Sequence, residues 1–344
     1  MKNQFDVLTI GGAVQDITFY TSDGKILKNP DNDQTCLELL GFEYGAKVKV
    51  EEANFTFGGG AQNAAVSIAR LGYKAAALIS VGNDGVGKEI IDNLKSNKVN
   101  TKFVQTKDTS TGFSFVLTDR KTSEHVVFSY RGANDKLVLG NELKIALPKW
   151  IYMTSLSGNW EKNVIAKVFK FKKSSNCRIA WNPGTRQLEA GYCRIGKYLQ
   201  ETDVLILNKD EAVELVISAE AAAGRVRDAI YRVGGTKKLA RELYGMVYGK
   251  NANGIAVVTD GRRGAYAYDG KKIYYSPVIK VKRVDTTGVG DAFGSSFIAG
   301  LEMYKGNIQK ALDLGNLNTS SVIGKVGAEN GLLYKSNITL KSKV

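Results

Sequence analysis

The segment Val284-Asp285-Thr286-Thr287-Gly288-Val289-Gly290-Asp291-Ala292-Phe293-Gly294 places a carboxylate directly behind a run of small residues. Phe293, Phe297, Ile298 and Leu301 follow at helical spacing, so Asp291 falls in the first turn of a helix. Small residues from Thr287 to Gly290 let the backbone turn until its N–H groups converge ahead of that helix. With the positive helix end they form an anion hole suited to a phosphoryl group. A carboxylate beside such a hole has a task, accepting the proton of a hydroxyl that attacks a phosphate, which is worth about 10²–10⁴ in rate. The cradle should contribute at least as much, because phosphoryl transfer builds charge on the transferring oxygens. The plainer alternative is that Asp291 complements the helix dipole, worth only about 0.3–1 kcal/mol. Taken alone, these residues leave both readings open.

Elements able to position this segment are legible along the chain. A buried strand, DVLTI, stops at Gly11-Gly12, and residues 13–58 follow with short strand-like alternation such as Lys47-Val48-Lys49-Val50-Glu51 and no convincing helix. Ala64, Ala65, Ile68 and Leu71 predict a helix over 61–71, stopped by Gly72. A strand over 75–81 and a helix over 87–97 come next, then a hairpin in which FSFVLT and EHVVFSY flank the polar DRKTS. From residue 150 onward strands (WIYMTSL, CRIAWN, DVLILN, GIAVVTD) alternate with helices near 160–173, 190–199 and between 210 and 248. YAYDGKKIYYSP reads as a further hairpin, and helices near 290–304 and 307–324 close the chain. Such alternation predicts a mainly parallel sheet covered on both faces. The β-rich stretches at about 13–58 and 103–130 interrupt it and are expected to pair as a small sheet, a lid over one domain spanning 1–344.

Composition narrows the classes further. With 344 residues, 43% hydrophobic, the chain is long enough for a substantial core. No run reaches the roughly 18 apolar residues of a spanning helix, and the start MKNQFDVLTIGG lacks signal-peptide character. Cys36, Cys177 and Cys193 lie far apart without metal-ligand spacing, which fits a reduced, cytoplasmic setting. A single histidine, His125, argues against zinc chemistry and Ser-His-Asp catalysis and reads as a strand residue. The formal charge of +14 comes from scattered lysines, so neither a nucleic-acid partner nor a membrane is expected.

DTTGVGDAFGSSFIAGL resembles the C-terminal signature of the ribokinase (phosphofructokinase B) family of carbohydrate and nucleoside kinases. Gly58-Gly59-Gly60-Ala61-Gln62-Asn63 followed by AAVSIARLG resembles the N-terminal one, and GNDGVG at 82–87, NKDE at 208–211 and TDGRRG at 259–264 stand between in family order. The likeness spans roughly residues 5 to 330. It implies a ribokinase-like three-layer α/β/α sandwich with a mainly parallel central sheet and a small inserted β-sheet lid, and an ATP- and Mg²⁺-dependent transfer to an alcohol. It implies Asp291 as base, with Gly288, Val289 and Gly290 as the anion hole. Asn208 and Glu211 would organise the magnesium–phosphate network, Glu211 through the metal's water shell. Thr259, Gly261 and Gly264 would line the nucleotide, with Asn316 on its adenine side and Asn318 a weaker candidate. Asp285 and the Thr287 carbonyl match a monovalent-cation site, K⁺ in many members, completed by backbone around Lys325–Ala328. At the acceptor end Asp16, Gly59 and Asn63 would hold sugar hydroxyls, and Arg131 could bind an acceptor's phosphate or carboxylate.

Other patterns carry less. Gly82–Glu89 nearly spells a P-loop, but Glu89 stands where a hydroxyl should ligate Mg²⁺. The glycines at 288, 290 and 294 loosely echo a dinucleotide fingerprint, yet only about fifty residues follow, too few for that fold. For the acceptor, Leu156-Ser157-Gly158 stand where ribokinase would carry a sugar-binding glutamate, which argues against ribose. A sugar or sugar derivative is expected, with a nucleoside as the alternative. The Gly-Gly-x-x-Gln-Asn run resembles adenosine kinases, and Phe19, Tyr20, Phe113 and Phe115 could stack on a base or serve as lid core. A catalytically silent ligand-binding member is a third reading, and the chain is expected as a monomer or a lid-mediated homodimer.

Overall fold

The structure, a computed structural model, describes residues 4–29, 38–122, 125–224, 234–249 and 253–341. Cys36 and the turn residue Ser123 of the DRKTS stretch lie outside them.

An eight-stranded sheet runs in the order Ile273–Ser276, Ala265–Tyr268, Ile255–Thr259, Val204–Asn208, Arg178–Trp181, Pro148–Met153, Phe5–Ile10, Ala75–Leu78. Strands from Ile255–Thr259 to Ala75–Leu78 are parallel, and the last hairpin adds two antiparallel strands at one edge. The parallel strands are near-continuous apolar runs because both faces are buried. Val7, Trp150, Tyr152 and Val257 pack beneath the helices Gly60–Arg70, Val289–Met303 and Ile308–Ile323. On the opposite face Leu8, Ile151, Leu205 and Val258 meet the helices Tyr192–Leu199, Lys209–Ala222 and Thr236–Tyr248. Ile10 and Met153 end their strands in register, as do Asn208 and Thr259, so the loops that follow open along one edge. Ligands of open parallel sheets bind outside this carboxyl edge.

A second sheet orders its strands His125–Tyr130, Gly112–Asp119, Val14–Thr21, Glu52–Gly58. The expected small sheet is thus present, built from parts of both β-rich stretches. Two details depart from expectation. The 75–81 strand is broken, with Ser80–Gly82 turning away to pair in parallel with Gln105–Lys107. A helix, Lys335–Lys341, follows the two closing helices.

Register gives the second sheet two unlike faces. Asp16, Ser114 and Thr56 align on one, and Ile17, Phe115, Phe55 and Phe128 align on the other. Alternation puts Phe19 and Phe113 on the apolar face and leaves Tyr20 on the Asp16 face. Phe19, Phe113 and Phe115 therefore point away from Asp16, and Phe19 and Phe115 pack edge to face at 4.7 Å.

Candidate active site

Asp291 stands in the first turn of Val289–Met303, whose N-cap Gly288 adopts φ 71°, a left-handed conformation glycine reaches without strain. Ala328 packs so closely that a Cβ on Gly288 would fall 2.3 Å from it. A Cβ on Gly290 would meet open space. Helix geometry leaves the N–H groups of Gly290 and Asp291 without intrahelical acceptors, and they border that opening.

The carboxylate is half-buried, and its Oδ2 accepts the Asn63 amide at 2.8 Å. Burial pushes the Asp291 carboxyl above the ordinary carboxylate range, and the Asn63 hydrogen bond opposes that shift. Asn63 rides on Gly60–Arg70, which starts at Gly59 with φ 97° against the Gly12 carbonyl. The absence of a side chain at Gly60 lets Asp291 approach, since a Cβ there would lie 3.1 Å from Oδ1. One turn further along both helices Ser295 Oγ donates to Ser67 Oγ at 2.7 Å, and Asn318 donates to Ser67 and Ser296. Asn318 thus belongs to a buried seam between helices, which does not favour it on the nucleotide side.

Asp16 is buried against Gly58, where a Cβ would strike its Oδ2. Burial first, then the charge of Asp291, push it up to about 7, while a hydrogen bond from Ser114 works the other way. Beside it a cavity of 220 Å³ is lined by Gly12, Gly59, Gly60, Ser114, Arg131 and Ser157, among others. Arg131 is exposed at its rim. Of the expected acceptor residues, Gly59 and Arg131 line this cavity, Asp16 lines an adjoining cavity of 500 Å³ that shares Ser114 and reaches Asp285 and Thr287, and Asn63 is bonded to Asp291.

The NKDE segment forms a capping box. Asn208 Oδ1 accepts the Glu211 N–H at 2.9 Å, and Glu211 Oε2 accepts the Asn208 N–H at 2.9 Å. This structural job accounts for the spacing on its own. Glu211 is half-buried, and burial raises its carboxyl above the usual range. Thr259 ends its strand in register with Asn208. Gly261 and Gly264 both have positive φ, and at Gly264 a Cβ would lie 2.3 Å from the Ser276 carbonyl. Asn316 donates to the carbonyls of Ser276 and Pro277 at 2.9 and 3.1 Å, so its amide fixes the loop after the last strand.

Asp285 Oδ1 accepts the Thr287 N–H and hydroxyl at 2.9 and 2.8 Å, and its Oδ2 accepts Gly327 N–H at 2.8 Å. Asp285 and the turn near Lys325–Ala328 are thus joined. Among the described residues no group of three or more His, Cys, Asp or Glu is placed to hold a metal. The GNDGVG segment is a helix start: Asp84 accepts the N–H groups of Gly87 and Thr111 and the Thr111 hydroxyl. Glu329, Gln62 and Asn93 form a largely buried cluster that sequence reasoning missed, because Glu329 lies 267 and 236 positions from its two partners.

Residues 28–334 match the pfkB family of carbohydrate kinases, and the chain belongs to that family. The chain is 25% identical over 302 residues to an ATP-dependent 6-phosphofructokinase of Thermoanaerobacterium thermosaccharolyticum, covering 85% of this chain and 86% of that protein. It is 24% identical to a ribokinase of Staphylococcus aureus, covering 83% and 88%. In three dimensions it resembles the Methanocaldococcus jannaschii nucleoside kinase (TM-score 0.72, 20% identity, 99% of each chain). It likewise resembles the Cryptococcus neoformans ribokinase in complex with ADP (TM-score 0.75, 20% identity, 98% and 99% of the chains). The fold is that of ribokinase, and membership of the carbohydrate kinase family makes the protein a phosphotransferase. No helix among the described residues is long and apolar enough to cross a membrane.

Proposed function

We propose that the chain transfers the γ-phosphate of ATP to a hydroxyl of a small sugar or sugar derivative. Asp291 acts as general base and the backbone of Gly288, Val289 and Gly290 as anion hole. The observation that carries this reading is the position of Asp291: a carboxylate raised by burial, held by Asn63, beside open helix N–H groups and next to a polar cavity. The acceptor O–H proton passes to Asp291, the freed oxygen forms a bond to Pγ, and the bond from Pγ to the ADP oxygen breaks. A raised carboxyl is a better base while still ionised near neutrality.

Mg²⁺ supplies charge neutralisation on the phosphates, and a site with one carboxylate suits it, since Mg²⁺ keeps several waters and binds through one or two carboxylates plus phosphate. Glu211 would hold it through water, with Asn208, Thr259, Gly261 and Gly264 along the nucleotide and Asn316 toward the adenine. K⁺ would lie by Asp285 and the Thr287 carbonyl, where the turn near Ala328 closes in. The small sheet serves as the lid that excludes water as a competing nucleophile.

A sugar is favoured by the polar lining of the cavity, where Ser114, Ser129, Asn134, Ser155 and Ser157 can meet hydroxyl groups. Phe19, Phe113 and Phe115, turned away from Asp16, do not favour base stacking, and of the aromatic candidates only Tyr20 shares the Asp16 face. Arg131 suits an anionic substituent on the acceptor. The apolar face of the lid, with Phe55 and Phe128 exposed, is the surface a lid-mediated homodimer would bury, and light scattering reads that state. The deciding test is ADP release across pentoses, hexoses, sugar phosphates and nucleosides, repeated with Asp291→Asn. Turnover with a sugar that Asp291→Asn lowers by about 10² or more supports the reading. A nucleoside as sole acceptor, or an Asp291→Asn variant near the wild-type rate, overturns it.

A further inference from the structure

Glu329 is a carboxylate in a place that needs explaining. It is 6% exposed, and burial raises its carboxyl above the usual range. Gln62 Nε2 donates to its Oε1 at 3.3 Å and Asn93 Nδ2 to its Oε2 at 2.8 Å, while Arg70 donates to its backbone carbonyl at 2.5 Å. Two amide donors, one on each oxygen, call for a group that only accepts; a glutamine would turn its own N–H₂ toward one of them. Burying a carboxylate whose side-chain donors are neutral, with only the nearby Arg70 guanidinium to offset its charge, is costly, so its presence asks for a reason beyond packing.

Its attachments supply one. Gln62 precedes Asn63, whose amide holds Asp291. Two residues before Glu329, Gly327 donates to Asp285, and its φ of 84° brings the turn against Thr56 of the small sheet. Between them, Ala328 packs beneath Gly288. A single carboxylate therefore ties the helix of the acceptor residue Asn63 to the turn that supports the anion-hole residue Gly288.

We propose that Glu329 is a positioning residue that keeps the acceptor side and the phosphate side of the site in register. It touches no substrate and acts through Gln62 and the Gly327–Ala328 turn. The proposal rests on the kinase reading above. Its signature is a loss in kcat with little change in either KM, because each half-site stays intact while their alignment relaxes.

The test is steady-state kinetics of the full chain, with ATP and the acceptor found in the panel, for wild type, Glu329→Gln and the double variant Glu329→Gln/Asn93→Asp. The double variant moves the carboxylate across the same hydrogen bond. Expected are a kcat about tenfold or more below wild type in Glu329→Gln, both KM values within about threefold, and recovery of most of kcat in the double variant. If Glu329→Gln shows no cooperative melt, Asn93→Ala is read in its place: a similar kcat loss supports the proposal, and an unchanged kcat overturns it. Wild type active with Glu329→Gln within twofold of it overturns this inference alone. Wild type silent toward every acceptor overturns the kinase reading first.

Discussion

Asn63 Nδ2 lies 2.8 Å from Asp291 Oδ2, joining the starts of two helices 228 positions apart. The amide donates to the ionised carboxylate, so it stabilises the form a base must have and counteracts the upward push of burial. Asn63→Ala removes that donor, and the Asp291 carboxyl rises further. The acid limb of the kcat profile is expected to move to higher pH, with kcat at slightly acidic pH falling most. A pH–rate profile checks this, and an unmoved limb would show that Asn63 does not act on the base.

Asp16 gives a pH dependence of stability with a definite sign. Its folded-state value is raised from 3.8 to about 7, so the fold favours the protonated acid. That contribution is fully present below about pH 4, is lost as pH rises toward about 7, and is flat above. Thermal melts from pH 4 to 9 should show this decline in wild type and a weaker one in Asp16→Asn. The same substitution should raise acceptor KM, because an amide cannot accept hydrogen bonds at both ends. A variant as pH-dependent as wild type would assign the slope to other groups, such as Glu329 or Glu211.

How far these features were legible follows from how local they are. Gly288 and Asp291 could be read because a left-handed cap, a first-turn carboxylate and an apolar stripe lie within a few residues. The alternation of strands and helices was legible for the same reason, since buried parallel strands are short apolar runs. The Asn208–Glu211 capping box is written in the spacing, although the family resemblance draws attention to a magnesium–phosphate role for the same two residues. Gln62 and Glu329 are 267 positions apart and Ser67 and Ser295 228 apart, so no local pattern announces either pair. Asn316 and Asn318 look alike in sequence, yet one bonds a loop backbone and the other a buried seam. The faces of the small sheet were likewise hidden until register assigned Phe19 and Phe115 to the side away from Asp16.

Gly288 and Gly290 should respond differently to alanine. At Gly288 a side chain meets Ala328 at 2.3 Å and a left-handed φ, so both clash and strain apply. Gly288→Ala is expected to destabilise by about 1–3 kcal/mol and to lose activity. Gly290 has open space around its Cβ position. Gly290→Ala should keep its melting temperature, yet lower kcat by placing a methyl where a phosphoryl group would sit. Equal melting losses in the two variants would contradict this division.

Asn208 permits its two jobs to be separated. As a cap it accepts the Glu211 N–H, and Asn208→Ala should cost about 1 kcal/mol of stability while raising ATP KM. Asn208→Asp keeps the acceptor oxygen and suits the helix N-terminus, so stability should be retained or slightly improved. The added negative charge would still repel the nucleotide's phosphates, and ATP KM should rise as much as in the alanine variant or more. Melting curves and ATP titrations of the pair decide the matter. If Asn208→Asp matched wild type in both, the capping box would account for Asn208 fully, and its place in the phosphate network would be withdrawn.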